Sequence, residues 1–503
     1  MNSKKKGILI GLIIIALLAI VLVVLELTKP EDDASSESSS LPTYAMIEQD
    51  KEALVSLTVK NEEGEFTVEP VDKSEEDSED EDNSSTEFTI PALSQYEQES
   101  SYLLTLASDM SSLNANAKVA DSVEDKAKYG LDNPIVTVTA NFEEGKQYVL
   151  TVGSAAYGGG YYAMVSGDDA LYTISDTVGD ELKRGELYYV SKVLIAAADT
   201  SESDAEDVIH SVTVTRSDLA QPITMERFTD EDVSYESYSS QYTLTSPLES
   251  YLNSEADANY VDIFVGGTAT EIVGYYKAED AATYGFDNPT ATVDLSYNDT
   301  TAKFIIGKLA DESSNYYVML EGRDLVYKAS EGMLGYANSV TADDLISSQP
   351  ILPNIAKVAT VDVTVDSQTY TFSITNEEEE PEETSTDDTS SEEASEPVIN
   401  TTGVSYNGKE LDLDNFKTYY QLLLSVPAEQ VHLDAPTGTP AAAIVYHYTN
   451  GESDTVELYS LGSRRMGIAV NGTMKYEGRS SYIDKLIKET ENVINDKEVD
   501  TDW

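Results

Sequence analysis

The sequence contains no cysteine and only three histidines, His210, His432 and His447. Without cysteine there is no disulfide, no thiolate metal site and no cysteine nucleophile. The histidines lack the H-x-x-x-H spacing of a zinc site, and the G-x-S-x-G motif of serine hydrolases is absent. These absences remove the commonest catalytic and metal-binding arrangements. We therefore predict a protein that is not an enzyme, with no catalytic residue, no cofactor and no defined metal site.

Basic residues are also scarce, because 31 Lys and Arg stand against 93 Asp and Glu, which gives a net charge of −62. A field of this sign repels nucleic acid and anionic polymers and attracts cations and basic partners. Nucleic-acid binding is therefore excluded. Weak binding of divalent cations by the most acidic segments is expected, without an ordered site.

Long apolar runs are absent except at the N-terminus, where residues 7–25 are uncharged and follow Lys4, Lys5 and Lys6. About 19 apolar residues at 1.5 Å each span a hydrocarbon core of roughly 30 Å. The lysines favour a cytoplasmic N-terminus, so we predict a single-pass protein of the cell membrane whose C-terminal region is extracellular. A cleaved signal peptide is the alternative. It requires a shorter apolar run and a small-x-small cleavage site, and neither is evident here.

A hexapeptide occurs twice, about 155 residues apart. The copies are Tyr129-Gly130-Leu131-Asp132-Asn133-Pro134 and Tyr284-Gly285-Phe286-Asp287-Asn288-Pro289. Each is followed by alternating strand-like sequence, by a strand that contains Gly153 or Gly307, and by a tyrosine pair, Tyr161-Tyr162 or Tyr316-Tyr317. A period of this length is the size of a domain and too long for a solenoid unit. The chain is therefore predicted to contain copies of one module.

The third copy is divergent. It lacks the hexapeptide and has Asp434-Ala-Pro-Thr-Gly438 instead, but its strand-like segments follow the same order, and Gly462 is predicted to stand where Gly153 and Gly307 stand. Helices are predicted at residues 414–425 and 480–493. Because strands and short helices mix without regular alternation, the predicted fold class is α+β, with an N-terminal transmembrane helix followed by repeated, mainly antiparallel modules.

The predicted organisation has six parts. They are the cytoplasmic lysines and anchor (1–29), a tether (30–52), module 1 (53–200) with an acidic loop at 69–87, module 2 (205–355), module 3 (356–490) with an acidic loop at 377–396, and a tail (491–503). Both loops are too acidic to fold on their own, and they occupy one site of the repeated fold.

The repeated residues have a structural interpretation. Gly130 and Gly285 can end a helix in the left-handed conformation, Asp and Asn favour turns, and Pro prevents the helix from continuing. A ligand contact by the Asp132/Asn133 and Asp287/Asn288 side chains is the functional alternative. The tyrosine pairs are explained by cross-strand packing, or alternatively by a surface contact in which Tyr161, Tyr162, Tyr316 and Tyr317 stack on sugar rings.

Together, the lysine-flanked apolar segment, the hexapeptide, the glycine-containing strand and the Tyr-Tyr-x-Met and Leu-x-Tyr strands resemble the bacterial family called domain of unknown function 4340. The resemblance covers two copies clearly and the third weakly. It implies an exported, membrane-anchored protein with no catalytic residues, and an accessory role beside subunits of an ABC-type transporter. We therefore expect a non-enzymatic extracytoplasmic scaffold. A cell-wall or glycan-binding surface protein is the alternative.

Overall fold

The computed structural model describes residues 44–71, 86–197, 208–228, 240–310, 314–379 and 398–502. The chain divides after Val190 into two compact units, one on each side of that residue. The predicted anchor (1–29) and most of the predicted tether (30–52) lie outside the described residues. No helix in the described part of the chain has the length and hydropathy of a membrane span.

The first unit contains an eight-stranded antiparallel sheet in the order β4-β3-β2-β7-β8-β9-β10-β6, and a separate pair formed by β1 and β5. The strands are β1 Tyr44–Ala45, β2 Leu54–Asn61, β3 Gly64–Pro70, β4 Phe88–Thr89, β5 Asn114–Ala115, β6 Ala117–Ala120, β7 Val136–Phe142, β8 Gln147–Ala155, β9 Tyr161–Val165 and β10 Leu171–Ile174. The helices are α1 Ser100–Ser111 and α2 Asp176–Leu182.

The second unit contains two further sheets. The first has nine strands in the order β14-β13-β12-β11-β16-β17-β18-β19-β15. Its strands are β11 Ile209–Thr215, β12 Ile223–Arg227, β13 Tyr242–Ser246, β14 Ser250–Tyr251, β15 Glu271–Tyr275, β16 Ala291–Tyr297, β17 Thr300–Leu309, β18 Asn315–Leu320 and β19 Leu325–Ser330. The associated helices are short: α3 Ala281–Tyr284, α4 Glu331–Leu334 and α5 Ala342–Leu345.

The other sheet of the second unit also has nine strands, in the order β23-β22-β21-β20-β25-β26-β27-β28-β24. The strands are β20 Val358–Val365, β21 Gln368–Glu379, β22 Val398–Tyr406, β23 Lys409–Glu410, β24 Gln430–Val431, β25 Ala442–Tyr448, β26 Ser453–Gly462, β27 Arg465–Val470 and β28 Thr473–Arg479. Its helices are α6 Leu413–Leu424 and α7 Ser481–Ile494, close to both predicted positions.

All three sheets share one topology. In each, a set of hairpin-connected strands joins a second set through one central antiparallel pair: β2 with β7, β11 with β16, and β20 with β25. A short strand that precedes the second set in the sequence closes its far edge: β6, β15 or β24. The prediction of mainly antiparallel modules with few short helices is therefore confirmed.

Strict alternation of buried and half-buried residues along the central strands explains how the cores form. Every second residue of β7 is buried, beginning at Val136 and ending at Phe142, and β16 repeats this pattern from Ala291 to Tyr297. Successive side chains of a strand point to opposite faces, so one face of each sheet carries the apolar residues. Helix α1 covers this face in the first sheet, and α6 and α7 pack together over the third.

The predicted acidic loops begin later than the sequence suggested. Strand β3 continues through Glu69 and Pro70, which pair with Thr89 and Phe88 of β4. Strand β21 continues to Glu379, which pairs with Val398. Backbone pairing in a ladder does not require apolar side chains on the exposed face, so strands can continue into acidic sequence. Residues 72–85 and 380–397 lie outside the described residues.

The end of the chain packs onto the third sheet, and α7 crosses the predicted boundary between module 3 and the tail at residue 490. Beyond α7, Val499 is buried, and its amide donates to Asn415 Oδ1 at 2.9 Å. Lys485 of α7 donates to Asp500 Oδ2 at 2.9 Å. These contacts tie the last residues to α6 and α7.

Candidate functional site

The hexapeptide of the first unit forms a tight turn after a short 3-10 helix, Lys126–Tyr129. Gly130 ends this helix in the left-handed conformation, with φ 75° and ψ 12°. The amide of Leu131 donates to the carbonyl of Lys126 at 3.1 Å, and the Leu131 side chain is buried beneath the turn. Asp132 is exposed at its tip. The predicted helix stop at Gly130 is confirmed.

The second hexapeptide repeats this geometry. Helix α3 ends at Gly285, whose φ is 82° and ψ 18°. The amide of Phe286 donates to the carbonyl of Ala281 at 2.8 Å. Asp287 and Asn288 are exposed, as are Asp132 and Asn133 in the first copy, and Pro134 and Pro289 are half-buried. Two related turns thus present the same Asp-Asn pair to solvent.

The glycine of the following strand lies directly under each turn. A Cβ atom on Gly153 would stand 2.1 Å from the carbonyl oxygen of Tyr129, and a Cβ on Gly307 would stand 2.1 Å from that of Tyr284. The turn glycine faces the same strand, since a Cβ on Gly130 would stand 2.7 Å from the backbone nitrogen of Ser154. Only glycine permits such close approach of two backbone segments.

The equivalence of the modules follows from strand register. Val136, Ala291 and Ala442 begin the central strands and pair with Val152, Ile306 and Leu458. The next residue along the partner strand is Gly153, Gly307 or Tyr459. The structure therefore aligns Gly153 with Gly307, as predicted.

In the third module Tyr459, and not Gly462, occupies this position, so the prediction for Gly462 is wrong. Tyr459 is buried in a small cluster with Ala469 and Met474. Gly462 lies at the end of β26 with φ 77°, and a Cβ atom added to it would have no neighbouring atom within 4 Å. Without a Tyr-Gly turn above the strand, there is room for a large side chain where the other modules require glycine.

Comparison with family models extends this equivalence. The family described as domain of unknown function (DUF4340) matches residues 89–273 and 243–436, which together cover more than half of the chain. The chain belongs to the DUF4340 family. The two matches begin about 154 residues apart, in agreement with the hexapeptide spacing. No curated protein sequence and no solved structure matches the chain significantly.

In this DUF4340 protein the second tyrosine of each pair packs on the tyrosine of the hexapeptide. The rings of Tyr129 and Tyr162 lie edge to face at 4.9 Å, and those of Tyr284 and Tyr317 lie at 5.0 Å. Such pairs contribute about 0.5–1.5 kcal/mol beyond area burial. The turn, the strand glycine and the aromatic pair therefore form one repeated unit.

The first tyrosine points to the opposite face of the strand. Tyr161 donates to Asp180 Oδ1 at 2.6 Å and accepts a hydrogen bond from Lys183 at 2.6 Å. Its ring lies against Gly179 of α2, where a Cβ would stand 2.1 Å from it. Tyr316, its counterpart in the second sheet, is half-buried on β18. The rings of Tyr161, Tyr162 and Tyr317 thus contact protein, and sugar stacking by these residues stays a prediction.

The remaining sequence candidates have local partners. His447 lies 3.1 Å from Asp362 Oδ2 and His432 lies 3.4 Å from Glu477 Oε2, while His210 is exposed on β11. Arg465 forms ion pairs with Glu429 and Glu477 across the third sheet. Within the described parts of the chain, no group of three or more His, Asp or Glu could hold a metal ion.

Sequence reasoning missed one group of residues, Asp109 on α1 with Glu181 on α2. The two carboxyl groups lie 72 positions apart in the sequence and interact electrostatically in the fold. Burial beside Asp109 raises the pKa of Glu181 to about 7, and burial also raises the pKa of Asp109. The one sequence signal was an acid on each of two short helices, which is common on solvated surfaces.

Proposed function

We propose that this protein is a non-enzymatic scaffold, held at the outer face of the cell membrane by its N-terminal segment, that contacts a membrane complex such as an ABC-type transporter. Support for the anchor comes from the sequence, which has an apolar run at residues 7–25 behind three lysines. About 19 apolar residues match the thickness of a bilayer core.

The observation that carries the scaffold proposal is the repeated turn. Two modules present an Asp-Asn pair at the same place, on turns that pack directly against Gly153 and Gly307. The same backbone turn recurs in both modules, and the side chains at its tip are exposed. This arrangement suits a surface that contacts a partner. It does not suit catalysis, which needs converging groups in a protected site.

Charge favours a basic partner surface. The chain carries a net charge of −62, and the four exposed side chains of the two turns present two of its carboxylates together with two neutral amides. Opposite charge steers association and raises its rate, while a like-charged surface would be repelled. A positively charged loop of a membrane protein, near the outer face of the bilayer, meets this requirement.

Site-specific crosslinking tests the proposal. Photoreactive residues placed at Asn133 and Asn288 of the full-length protein in native membranes should capture the same partner subunit. The matched control is a photoreactive residue at Glu62, which is exposed in the β2–β3 turn. Capture of the same set of proteins from all three positions would contradict specific contact by the turns. Release of the mature protein into the medium would contradict the anchor.

A further inference from the structure

The chain that follows α7 contacts both α6 and α7, and we call residues 497–502 of this segment the strap. Val499, which is 5% exposed, is the one buried residue of the strap, while its four charged residues are exposed. The strap has no helix or strand structure of its own. A segment with so little buried surface depends on the groups beneath it for its position, and such segments open locally at low free energy.

Asn415, in the first turn of α6, binds the strap backbone on both sides of Glu498. Its Nδ2 atom donates to the carbonyl of Lys497 at 2.8 Å, and its Oδ1 atom accepts from the amide of Val499 at 2.9 Å. A side-chain amide that donates to one peptide group and accepts from another recognises extended backbone as a neighbouring strand would. This contact therefore selects an extended conformation and does not depend on the side chains of the strap.

A buried ion pair on α7 recognises the acidic residue of the strap. The Nζ atom of Lys485 donates to Asp500 Oδ2 at 2.9 Å and to the carbonyl of Asp502 at 2.8 Å. Glu489 is fully buried, lies 3.4 Å from Lys485, and accepts from the amide of Asp500 at 3.2 Å. Hydrogen bonds with charged groups are stronger than neutral ones, and Lys485 would repel a basic residue at the position of Asp500. The pair therefore selects an acidic residue directly after the buried valine.

The hinge between α7 and the strap is short. It consists of Asn495 and Asp496, and Asp496 has φ 52°, in the left-handed region that residues other than glycine rarely adopt. The amide of Asp496 donates to the carbonyl of Val493 at 3.3 Å, which holds the turn against the end of α7. Short hinges under strain favour exchange of the following segment between two copies, because the segment regains every contact in the partner.

We propose that Asn415, Lys485 and Glu489 form a binding groove for an extended peptide in which a small apolar residue precedes aspartate, and that a second copy of this chain supplies this peptide through its own strap. The strap already fills the groove within one chain, so the fit of this sequence is established by its contacts. An identical copy carries the same sequence. The inference does not rest on the scaffold function, because exchange requires only two copies of the chain.

Fluorescence anisotropy with a labelled, C-terminally blocked peptide of residues 496–502 tests the groove. The acceptor is the full chain with Val499→Asp and Asp500→Asn, which removes the buried anchor and the ion pair of its own strap without changing the net charge. Saturable binding to the acceptor is expected, and binding to the parent chain should be at least about tenfold weaker, equal to about 1.4 kcal/mol, because the parent groove is filled. Asn415→Ala in the acceptor should weaken binding by a similar factor. The matched control is Lys417→Ala, an exposed residue of the same helix, which should leave binding unchanged.

Variants of the peptide test its sequence without altering the folded chain. Val499→Ser and Asp500→Asn in the peptide should each weaken binding severalfold. Equal binding of these peptides, or no binding of the original peptide at about 1 mM, would overturn the groove.

Sedimentation velocity tests the second copy as the source. The donor is the full chain with Asn415→Ala, whose strap is intact and whose own groove holds it weakly. An equimolar mixture with the acceptor should contain a 1:1 complex that neither variant forms alone. Physiological salt, with a Debye length of about 8 Å, screens the repulsion between two acidic copies. Peptide binding without this complex would assign the ligand to another protein, and a complex that survives Asn415→Ala in the acceptor would show association elsewhere; either result overturns strap exchange.

Discussion

Replacement of Gly153 by alanine should destabilise the first unit strongly. The new Cβ would stand 2.1 Å from the backbone oxygen of Tyr129 and 3.2 Å from Leu131 Cδ2. Overpacking by a methyl group costs about 1–3 kcal/mol. Because the obstacle at 2.1 Å is backbone and cannot rotate away, we expect the upper end, about 3 kcal/mol. At roughly 2–4 °C per kcal/mol for a domain of this size, the melting temperature should fall by about 6–12 °C.

Differential scanning calorimetry of the full chain measures the effect, and hydrogen exchange assigns it to the first unit. Gly307→Ala, with the same 2.1 Å approach to Tyr284, should produce a similar loss in the second unit. The matched control is Gly403→Ala, where the nearest atoms, in Thr375, are 3.7 Å away. The reasoning would be refuted if Gly153→Ala and Gly307→Ala lowered the melting temperature no more than Gly403→Ala does.

Three further predictions concern charge, loops and a half-buried amide. Glu181→Gln should leave stability unchanged near pH 4.5 and raise it above pH 8. Because the raised pKa favours the protonated acid in the folded state, the contribution of Glu181 to stability is fully present below the pKa of the unfolded chain. This contribution is lost as the pH rises through about 7. A pKa of about 7 would correspond to a change of about 3 kcal/mol in the free energy of unfolding at full burial, and partial exposure of Glu181 reduces this to about 1–2 kcal/mol. Urea unfolding at both pH values measures the change. Replacing residues 72–85 with a short Gly/Ser turn should leave the melting temperature within a few degrees, because halving a loop changes its closure cost by only about 0.6 kcal/mol; collapse of the fold would contradict this. Asn376→Ala should cost about 2–3 kcal/mol in the second unit, since its amide donates to the carbonyls of Ile355, Ala356 and Val358 and accepts from Thr401; denaturation with Asn376→Asp, which keeps only the acceptor, shows whether the donors carry the effect.

Local patterns were sufficient to predict the strands and the repeated turn. Alternation of apolar residues depends only on which face of a strand is buried, so β7 and β16 could be recognised from sequence. The hexapeptide combines residues with strong intrinsic preferences, and Gly130 and Gly285 end helices as those preferences require. These features are encoded within a few neighbouring residues.

Features that depend on register or tertiary packing could not be predicted. The assignment of Gly462 failed because this glycine was matched to Gly153 and Gly307 by sequence similarity. The equivalent position is determined by strand pairing, and that pairing places Tyr459 where the other modules have a glycine under the turn. The acid pair could not be recognised because α1 and α2 are far apart in the sequence and come into contact only in the folded structure. Strand β21 runs into acidic sequence because its partner β22 supplies the hydrogen bonds.

The central position of β2 in the first sheet has a practical consequence for fragment design. The region that matches the family begins at residue 89, after β2 and β3. A recombinant fragment cut there would lose the partner of β7 and expose a seven-residue strand with alternating apolar side chains. Open edges of this kind pair with one another and cause aggregation. A fragment ending at Val190 and beginning before β1 would retain every strand of the first sheet, and it is the one to express for crystallisation or NMR.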